Sequence, residues 1–531
     1  MNPGARRALG AISTSHHLAT EAGAAVLRAG GNAIDAAIAA ASTLCVVYPN
    51  NVALGGDLVA LVRSPDGEVR FLNATGTAPS NQSLEALRAS YGSQLPLRGI
   101  DTITVPGGVR GWQALHEHGA SRSWAEHFEA AIRLAGEGFA NSRSVAAALV
   151  EDRESLSQDP GARAVFYPDG EPLAEGARLV QPALAESLRA LAERGADEFY
   201  SGELASRWVT GLGALGSKIT TQDTAAYRAH WGEPLEASYC DLRVLTGPPN
   251  TSGFMLLRAL NAVTALDGGP GIADPLGAGA AGLARAFHES NLVRAAALAD
   301  PAFGGASSEQ LVAMPAPEGP VSAEAKASGD TVGFSVISDD GWAVSLINSV
   351  YWGFGAHILE PTTGIIFQNR GTSFSLDPSA PNAFAPGKRP RHTLMPVLVL
   401  RGDEVAWVPA TMGGAAQPQI HAQLLLRSLD GATPHEATHA PRWIVNEPIA
   451  ATPDGHASAT AISNALATVT AESDVPASVL ASLTAAGFTI DTVAPHSEQL
   501  GHSNLIQVTP EGYAAASDPR SDGSAIVVSS A

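Results

Sequence analysis

A threonine at the junction of two kinds of sequence carries the first chemical suggestion. Residues 314–330, MPAPEGPVSAEAKASGD, are rich in Pro, Ser, Ala and Gly without periodicity and read as a linker. From Thr331 the stretch TVGFSVIS alternates, with Thr331, Gly333 and Ser335 on one side and Val332, Phe334 and Val336 on the other, as a strand does. Threonine is a good strand former, and residue type alone asks no more of it. Its position suggests a second use. A threonine hydroxyl is a weak nucleophile until a base takes its proton. Cleavage between Asp330 and Thr331 would give Thr331 a free α-amine with a reference pKa of about 8, able to act as that base. The same hydroxyl can attack the Asp330 carbonyl and form an ester. One residue would then serve maturation and catalysis with no His or Asp triad partner.

Other residue types around that threonine invite roles. MGG at 412–414 ends a strand-like run, EVAWVPAT, and precedes a helical pattern. Gly413 and Gly414 permit close backbone approach to a ligand, with N–H groups near a helix start; a tight strand-to-helix turn is the plainer reading. INSVYWGFG (347–355) starts on the second strand of a hairpin, antiparallel to the Thr331 strand, so Asn348 or Ser349 can aim a polar group at the Thr331 hydroxyl or amine. In KRPRHT (388–393), Arg391, His392 and Thr393 can bind an anionic group by charge-assisted hydrogen bonds, and Arg370 in FQNRGTSF is a second such cation. A solvated basic loop is the alternative. Asp57 in LGGD can line a pocket or close a turn.

The elements that must position these residues are legible in outline. LATEAGAAVLRAGGNAIDAAIAAASTLCVVYP carries helical spacing over two helices punctuated by Gly30-Gly31. AEHFEAAIRLAGEGF, PALAESLRALAERGADEFYSG and SGFMLLRALNAVTALDGG continue the helices. Short strands fall between them at LVALVRS, EVRFLNA and DLRVLTG. Beyond the linker, TVGFSVIS and WAVSLINSV flank DDG as a hairpin, GIIFQNRG, MPVLVL and EVAWVPA add strands, QPQIHAQLLLRSL and SDVPASVLASLTAAGF are helices, and NLIQV-TPEG-YAAASDP is a closing hairpin. Helices, then strands, then helices, then strands predict an αββα sandwich of the α/β (α+β) class.

Composition narrows the partners. With 45% hydrophobic residues the 531-residue chain is an ordinary globular one. Its net charge of −20 repels nucleic acid and anionic membrane surfaces. Two cysteines exclude a disulfide framework, no Cys/His spacing suggests a metal, and CVVYP makes Cys45 a core thiol. No stretch approaches the ~18 apolar residues of a membrane helix, and no secretory signal is read, so a cytoplasmic location is expected. GGNAIDAA and LGGD lack the spacing of nucleotide loops, and no cofactor is expected.

The chain resembles the γ-glutamyltransferase family of N-terminal nucleophile hydrolases over nearly its whole length. The residues that carry the resemblance are LATEAGAAVLRAGGNAIDAAIAA (18–40), LGGD (54–57), TVPGGVRGW (104–112), DEFYSG (197–202), ITTQDTAAYRA (219–229), GPPNTSGF (247–254), KRPRHTLMP (388–396), MGGAAQPQ (412–419) and ASDPRSDG (516–523). It implies a four-layer N-terminal nucleophile hydrolase sandwich, Thr331 as nucleophile, and a precursor cut between Asp330 and Thr331 into fragments 1–330 and 331–531 retained in one folded body. It also implies that Gly413 and Gly414 form an oxyanion hole. The family has a second Thr and an Asn near Asn348 and Ser349, at a spacing two residues shorter, and Ser-Ser where His392-Thr393 stand here.

Two departures bear on the substrate. Thr75 in FLNATGTAP replaces the family's carboxylate-binding Arg, and Thr372-Ser373 replace its Asp-Asp pair for the α-amine. The lid region, 375–387, is short, which suggests a more open pocket. The pattern is closer to the non-glutamyl branch that includes oxamate amidohydrolase-like enzymes. The expectation is hydrolysis of a small carboxylate-bearing amide, with water as acceptor. A genuine γ-glutamyltransferase or glutathione hydrolase is the alternative, and an unprocessed, inert binding protein the second.

Overall fold

The computed structural model describes residues 8–267, 277, 279–317, 330–446 and 468–530. The linker expected at 314–330 lies outside them from 318 to 329, as does the side chain of Asp330. Two antiparallel sheets dominate. The first has seven strands in the order Ser524–Ser529, Ala8–Thr14, Asp330–Ser338, Ala343–Tyr351, Asp57–Arg63, Val69–Ala74 and His230–Gly232. The second has six, in the order Gly512–Ser517, His502–Thr509, Glu404–Met412, Val397–Arg401, Leu242–Thr246 and Leu235–Tyr239. The strand headed by Asp330 and Thr331 is thus third in its sheet, hydrogen-bonded on both sides. Strands from before and after position 330 interleave in that sheet, so the two parts of the chain share one core.

Period-2 alternation builds the layers. Val59, Leu61, Ile337 and Ile347 of the first sheet meet Leu245, Leu398, Val408 and Ile506 of the second in the inter-sheet core. Their neighbours Leu58, Ala60, Val62, Val332, Phe334 and Val336 face outward onto helices His17–Arg28 and Ala33–Val47. Val244, Val397, Val399 and Leu505 face the other way, onto helices Phe254–Asp267 and Gln417–Leu429. The result is the four-layer αββα sandwich expected. Cys45 lies in the first outer core, and GGNAIDAA is a helix start in which Asn32 and Asp35 make a reciprocal capping box.

Two of the departures from expectation have a clear physical reason. Ala280–Ala297 is an 18-residue helix that periodicity does not announce, because residues around its whole circumference are buried, Asn291 and Arg294 included. GIIFQNRG contributes only the two-residue strand Ile365–Ile366. The Phe367 N–H still bonds Ile358 O beside that pair, but the next N–H groups are taken elsewhere, Gln368 by Gly55 O and Asn369 by Val350 O, so the pairing ends there.

A buried ion network ties the C-terminal hairpin down. Arg442 Nη2 donates to Asp518 Oδ2 at 2.6 Å, Arg520 Nη1 to Asp518 Oδ1 at 2.8 Å, and Arg520 Nη2 to Glu472 Oε2 at 2.5 Å. Burial opposes the charge on Asp518, yet the two guanidinium groups overcome it and hold the carboxyl well below its ordinary range. Among the described residues, no helix is long and apolar enough to cross a membrane and no group of three His, Cys, Asp or Glu is arranged to hold a metal ion.

Candidate active site

Thr331 is fully buried at the head of its strand. Its hydroxyl lies 2.9 Å from Ser349 Oγ, and either oxygen can donate. Strand register explains the contact. Val332 pairs with Asn348, so Ser349 comes opposite Thr331; one extra residue then enters before Tyr351 pairs with Asp330. Ser349 Oγ also accepts the Tyr351 N–H at 2.8 Å, and Tyr351 takes a φ of 82°, unusual for a side-chain-bearing residue. Asn348 points elsewhere: its Nδ2 donates to the backbone oxygen of Asp57 at 2.7 Å. Of the two candidates, Ser349 reaches the Thr331 hydroxyl. A third residue, Asn51, donates from Nδ2 to the Thr331 carbonyl at 3.3 Å. Nothing in YPNN distinguishes Asn51 in sequence, because the contact spans 280 residues.

The glycine pair is brought up by a close approach of the two sheets. A Cβ on Gly333 would stand 2.5 Å from Thr411 O and 2.6 Å from Thr411 N, so only glycine lets these strands meet there. Thr331 lies two residues before that contact on one strand, and Gly413 two residues after it on the other. Gly413 and Gly414 adopt φ of 151° and 53° and lead through a 3-10 turn, Gly414–Ala416, into the helix Gln417–Leu429.

The cations divide into two groups. Arg370 is buried beneath Thr393, donating from Nη2 to its Oγ1 at 2.9 Å and from Nη1 to Ser373 Oγ at 3.3 Å. Its guanidinium stacks on the Tyr351 ring, 3.3 Å from the centroid. Arg370 is therefore linked through Tyr351 and Ser349 to Thr331. Arg391 instead donates to the Ala295 carbonyl at 3.0 Å, which fastens its loop to the helix Ala280–Ala297. His392 is not a cation. Burial, reinforced by Arg370 and Arg294, pushes its imidazole well below the ordinary range. Its Nδ1 accepts the Leu394 N–H at 3.4 Å, so Nε2–H donates to Asp57 Oδ2 at 3.2 Å. Arg391 and His392 are thus engaged within the protein, and of the expected anion-binding residues it is Arg370 and Thr393 that lie together. The residues at the two departures are engaged locally: Thr75 Oγ1 donates to Asn73 Oδ1 at 2.7 Å and Thr372 Oγ1 to Pro96 O at 2.9 Å. Arg389, not singled out from the sequence, reaches Thr75 O from its Nε at 3.3 Å.

Asp57 joins these parts. It pairs with Ser349 across the strands, and its Oδ1 accepts the N–H groups of Gly76 at 2.9 Å and Gly107 at 3.2 Å. Burial pushes its carboxyl up to about 6 against those donors and the nearby Arg370 and Arg389. Below that pH Asp57 becomes a donor facing the His392 N–H, and the strand opposite Ser349 must adjust. We expect kcat/KM to fall as pH drops through about 6, and Asp57→Asn to remove that acid limb. An unchanged limb in Asp57→Asn assigns the titration to another group.

The family model described as Gamma-glutamyltranspeptidase matches residues 19–528. The chain is 34% identical over 539 residues to a glutathione hydrolase-like YwrD proenzyme of Bacillus subtilis, covering 97% of this chain and 98% of that one. It is 35% identical over 537 residues to an oxamate amidohydrolase proenzyme of Klebsiella pneumoniae, covering 96% and 97%. Among solved structures, a cephalosporin acylase from Bacillus halodurans superposes with a TM-score of 0.85 at 31% identity, over 98% of this chain and 96% of the other.

Proposed function

The chain belongs to the gamma-glutamyltranspeptidase family of hydrolases and acylases, and from that premise we propose that it is a self-cleaving amidase acting on a small carboxylate-bearing amide through an acyl-enzyme on Thr331. One observation carries the reading: the buried Thr331 hydroxyl is in hydrogen-bond contact with Ser349, which Tyr351 connects to the buried cation Arg370. In maturation the Thr331 Oγ1 attacks the Asp330 carbonyl, the bond from Asp330 C to Thr331 N breaks, and water hydrolyses the ester. That leaves the Asp330 carboxylate and the Thr331 α-amine. In turnover the α-amine takes the hydroxyl proton, Oγ1 attacks the substrate amide carbon, and the proton passes to the leaving amine. Water then resolves the acyl ester.

The backbone N–H groups of Gly413 and Gly414 stabilise the oxyanion in each half, a contribution of roughly 3–4 kcal/mol for a well-placed donor. Arg370, with Thr393, receives the substrate carboxylate. No zwitterionic glutamyl anchor is expected, since Thr75 and Thr372-Ser373 supply no charge at the two positions where the resemblance expects one. The similarity to an oxamate amidohydrolase proenzyme supports a short acid amide.

The test is direct. On a denaturing gel the purified protein should run as two bands, and the smaller should begin at Thr331 on N-terminal sequencing. The matured protein should hydrolyse oxamate well above γ-glutamyl-p-nitroanilide, with no stimulation by a dipeptide acceptor. Comparable turnover of the γ-glutamyl substrate rejects the substrate assignment, and a persistent full-length band rejects the self-cleavage.

A further inference from the structure

Two segments that flank the reacting atoms are joined at one place by a side-chain hydrogen bond between distant parts of the chain. The first segment is the end of the helix Ala33–Val47. Tyr48 caps it, and its carbonyl accepts the N–H groups of Asn51 at 3.0 Å and Val52 at 3.2 Å. Asn51 then holds the Thr331 carbonyl through Nδ2, and its own carbonyl accepts the Val350 N–H at 3.0 Å, beside Ser349. Tyr48 is thus connected through Asn51 to the Thr331 backbone.

The second segment is the turn Glu498–Leu500. The Gly501 N–H donates to Glu498 O at 2.9 Å. Gly501 packs directly on the glycine turn: a Cβ there would fall 2.2 Å from Met412 O and 2.9 Å from Gly413 Cα. Glu498 is thus connected through Gly501 to the Gly413 backbone.

Tyr48 OH donates to Glu498 Oε1 at 3.2 Å and closes the circuit. The Tyr48 ring is held edge-on between His16 and His502, with centroids 5.8 and 6.5 Å away, which fixes where its hydroxyl sits. Glu498 is half-buried as a residue, with its carboxyl turned among Tyr48, Ser144, Arg143 and Asp522.

We propose that Tyr48 and Glu498 are positioning residues, a clamp that fixes the Thr331 backbone relative to the Gly413 turn and so sets the distance between nucleophile and oxyanion donors. The proposal rests on the reading of Thr331 and Gly413 given above. Neither side chain touches substrate. Both act through backbone, Tyr48 by way of Asn51 and Glu498 by way of Gly501. Catalysis is steep in this distance, since a misplacement of about 1 Å can cost roughly 10²-fold in rate. The clamp needs an oxygen acceptor at position 498, not a charge.

The experiment compares Tyr48→Phe, Glu498→Ala and Glu498→Gln in the full chain, scoring the processed fraction on gels and kcat and KM on oxamate. We expect Tyr48→Phe and Glu498→Ala each to lower kcat by about tenfold and to slow processing. KM should stay within about twofold, since the anion-binding Arg370 is untouched. Glu498→Gln keeps an acceptor oxygen and should recover most of the kcat lost in Glu498→Ala. Wild-type kcat in Tyr48→Phe overturns the clamp, as does a Glu498→Gln no better than Glu498→Ala. Should one variant fail to fold, the other residue's substitutions still decide. Loss of activity in Thr331→Ala alongside an unaffected Tyr48→Phe sinks the clamp alone, whereas an active Thr331→Ala sinks the reading beneath it.

Discussion

Thr331→Ala is expected to yield a single uncut chain with activity at least about 10³-fold below the matured protein. The size follows from the double use of one oxygen. In the proposed maturation Oγ1 is the atom that attacks the Asp330 carbonyl, so without it the Thr331 α-amine would never be released. In the proposed turnover Oγ1 also forms the acyl bond, and no base can rescue a missing nucleophile. The fold should survive. The substitution removes one methyl and one hydroxyl from a strand hydrogen-bonded on both sides, and it leaves Ser349 Oγ with the Tyr351 N–H. The cost to stability is then about 1–3 kcal/mol for the lost side-chain partner. Thr331→Ser keeps the hydroxyl and should still process, which separates loss of the nucleophile from loss of shape. Mass spectrometry of the intact chain with a coupled ammonia assay reads both arms. Cutting at 330/331 in the alanine variant removes the nucleophile assignment.

Arg370→Met is the second large effect, and it falls on binding. Arg370 is buried, stacked on Tyr351, and fixed by Thr393 and Ser373. A substrate carboxylate that meets it is desolvated, and truncating one partner of such a pair costs about 2–5 kcal/mol. At 1.4 kcal/mol per decade, KM for oxamate should rise by roughly 30-fold or more. Methionine fills most of the same volume without a charge, so the site loses the cation and keeps its packing. The control is a small neutral amide of similar size, whose kcat/KM should change little. Equal losses for the acid and the neutral amide would mean that Arg370 supports the site structurally and does not read the substrate's charge. Arg370→Lys should recover only part of the effect, because an ammonium cannot keep the planar stack and the two-pronged contact.

What the chain shows by itself is whatever one local stretch specifies. Alternation at 331–338 gave a strand with Val332, Phe334 and Val336 on one face, and that face is the outer core. Helical spacing broken at Gly30-Gly31 gave two helices, and they are His17–Arg28 and Ala33–Val47. The helix Ala280–Ala297 stayed hidden because burial on all sides erases the amphipathic stripe that betrays a helix.

Within the site, residue type nominated Thr331, Ser349 and Arg370, but only tertiary structure chose between Ser349 and Asn348, through a register with one extra residue before Tyr351. The same is true of His392 and Arg391. Their sequence offers charge, while burial leaves His392 neutral against Asp57 and a carbonyl on a distant helix takes up Arg391. Asn51, Tyr48 and Glu498 had no local signature at all, since what they do depends on partners hundreds of residues away. Sequence determines which side chains can do chemistry and which face of an element is apolar, because both are properties of a few consecutive residues. Which polar groups meet, and whether they keep their charge when they do, follows from burial and long-range register, and those exist only once the two sheets have closed on each other.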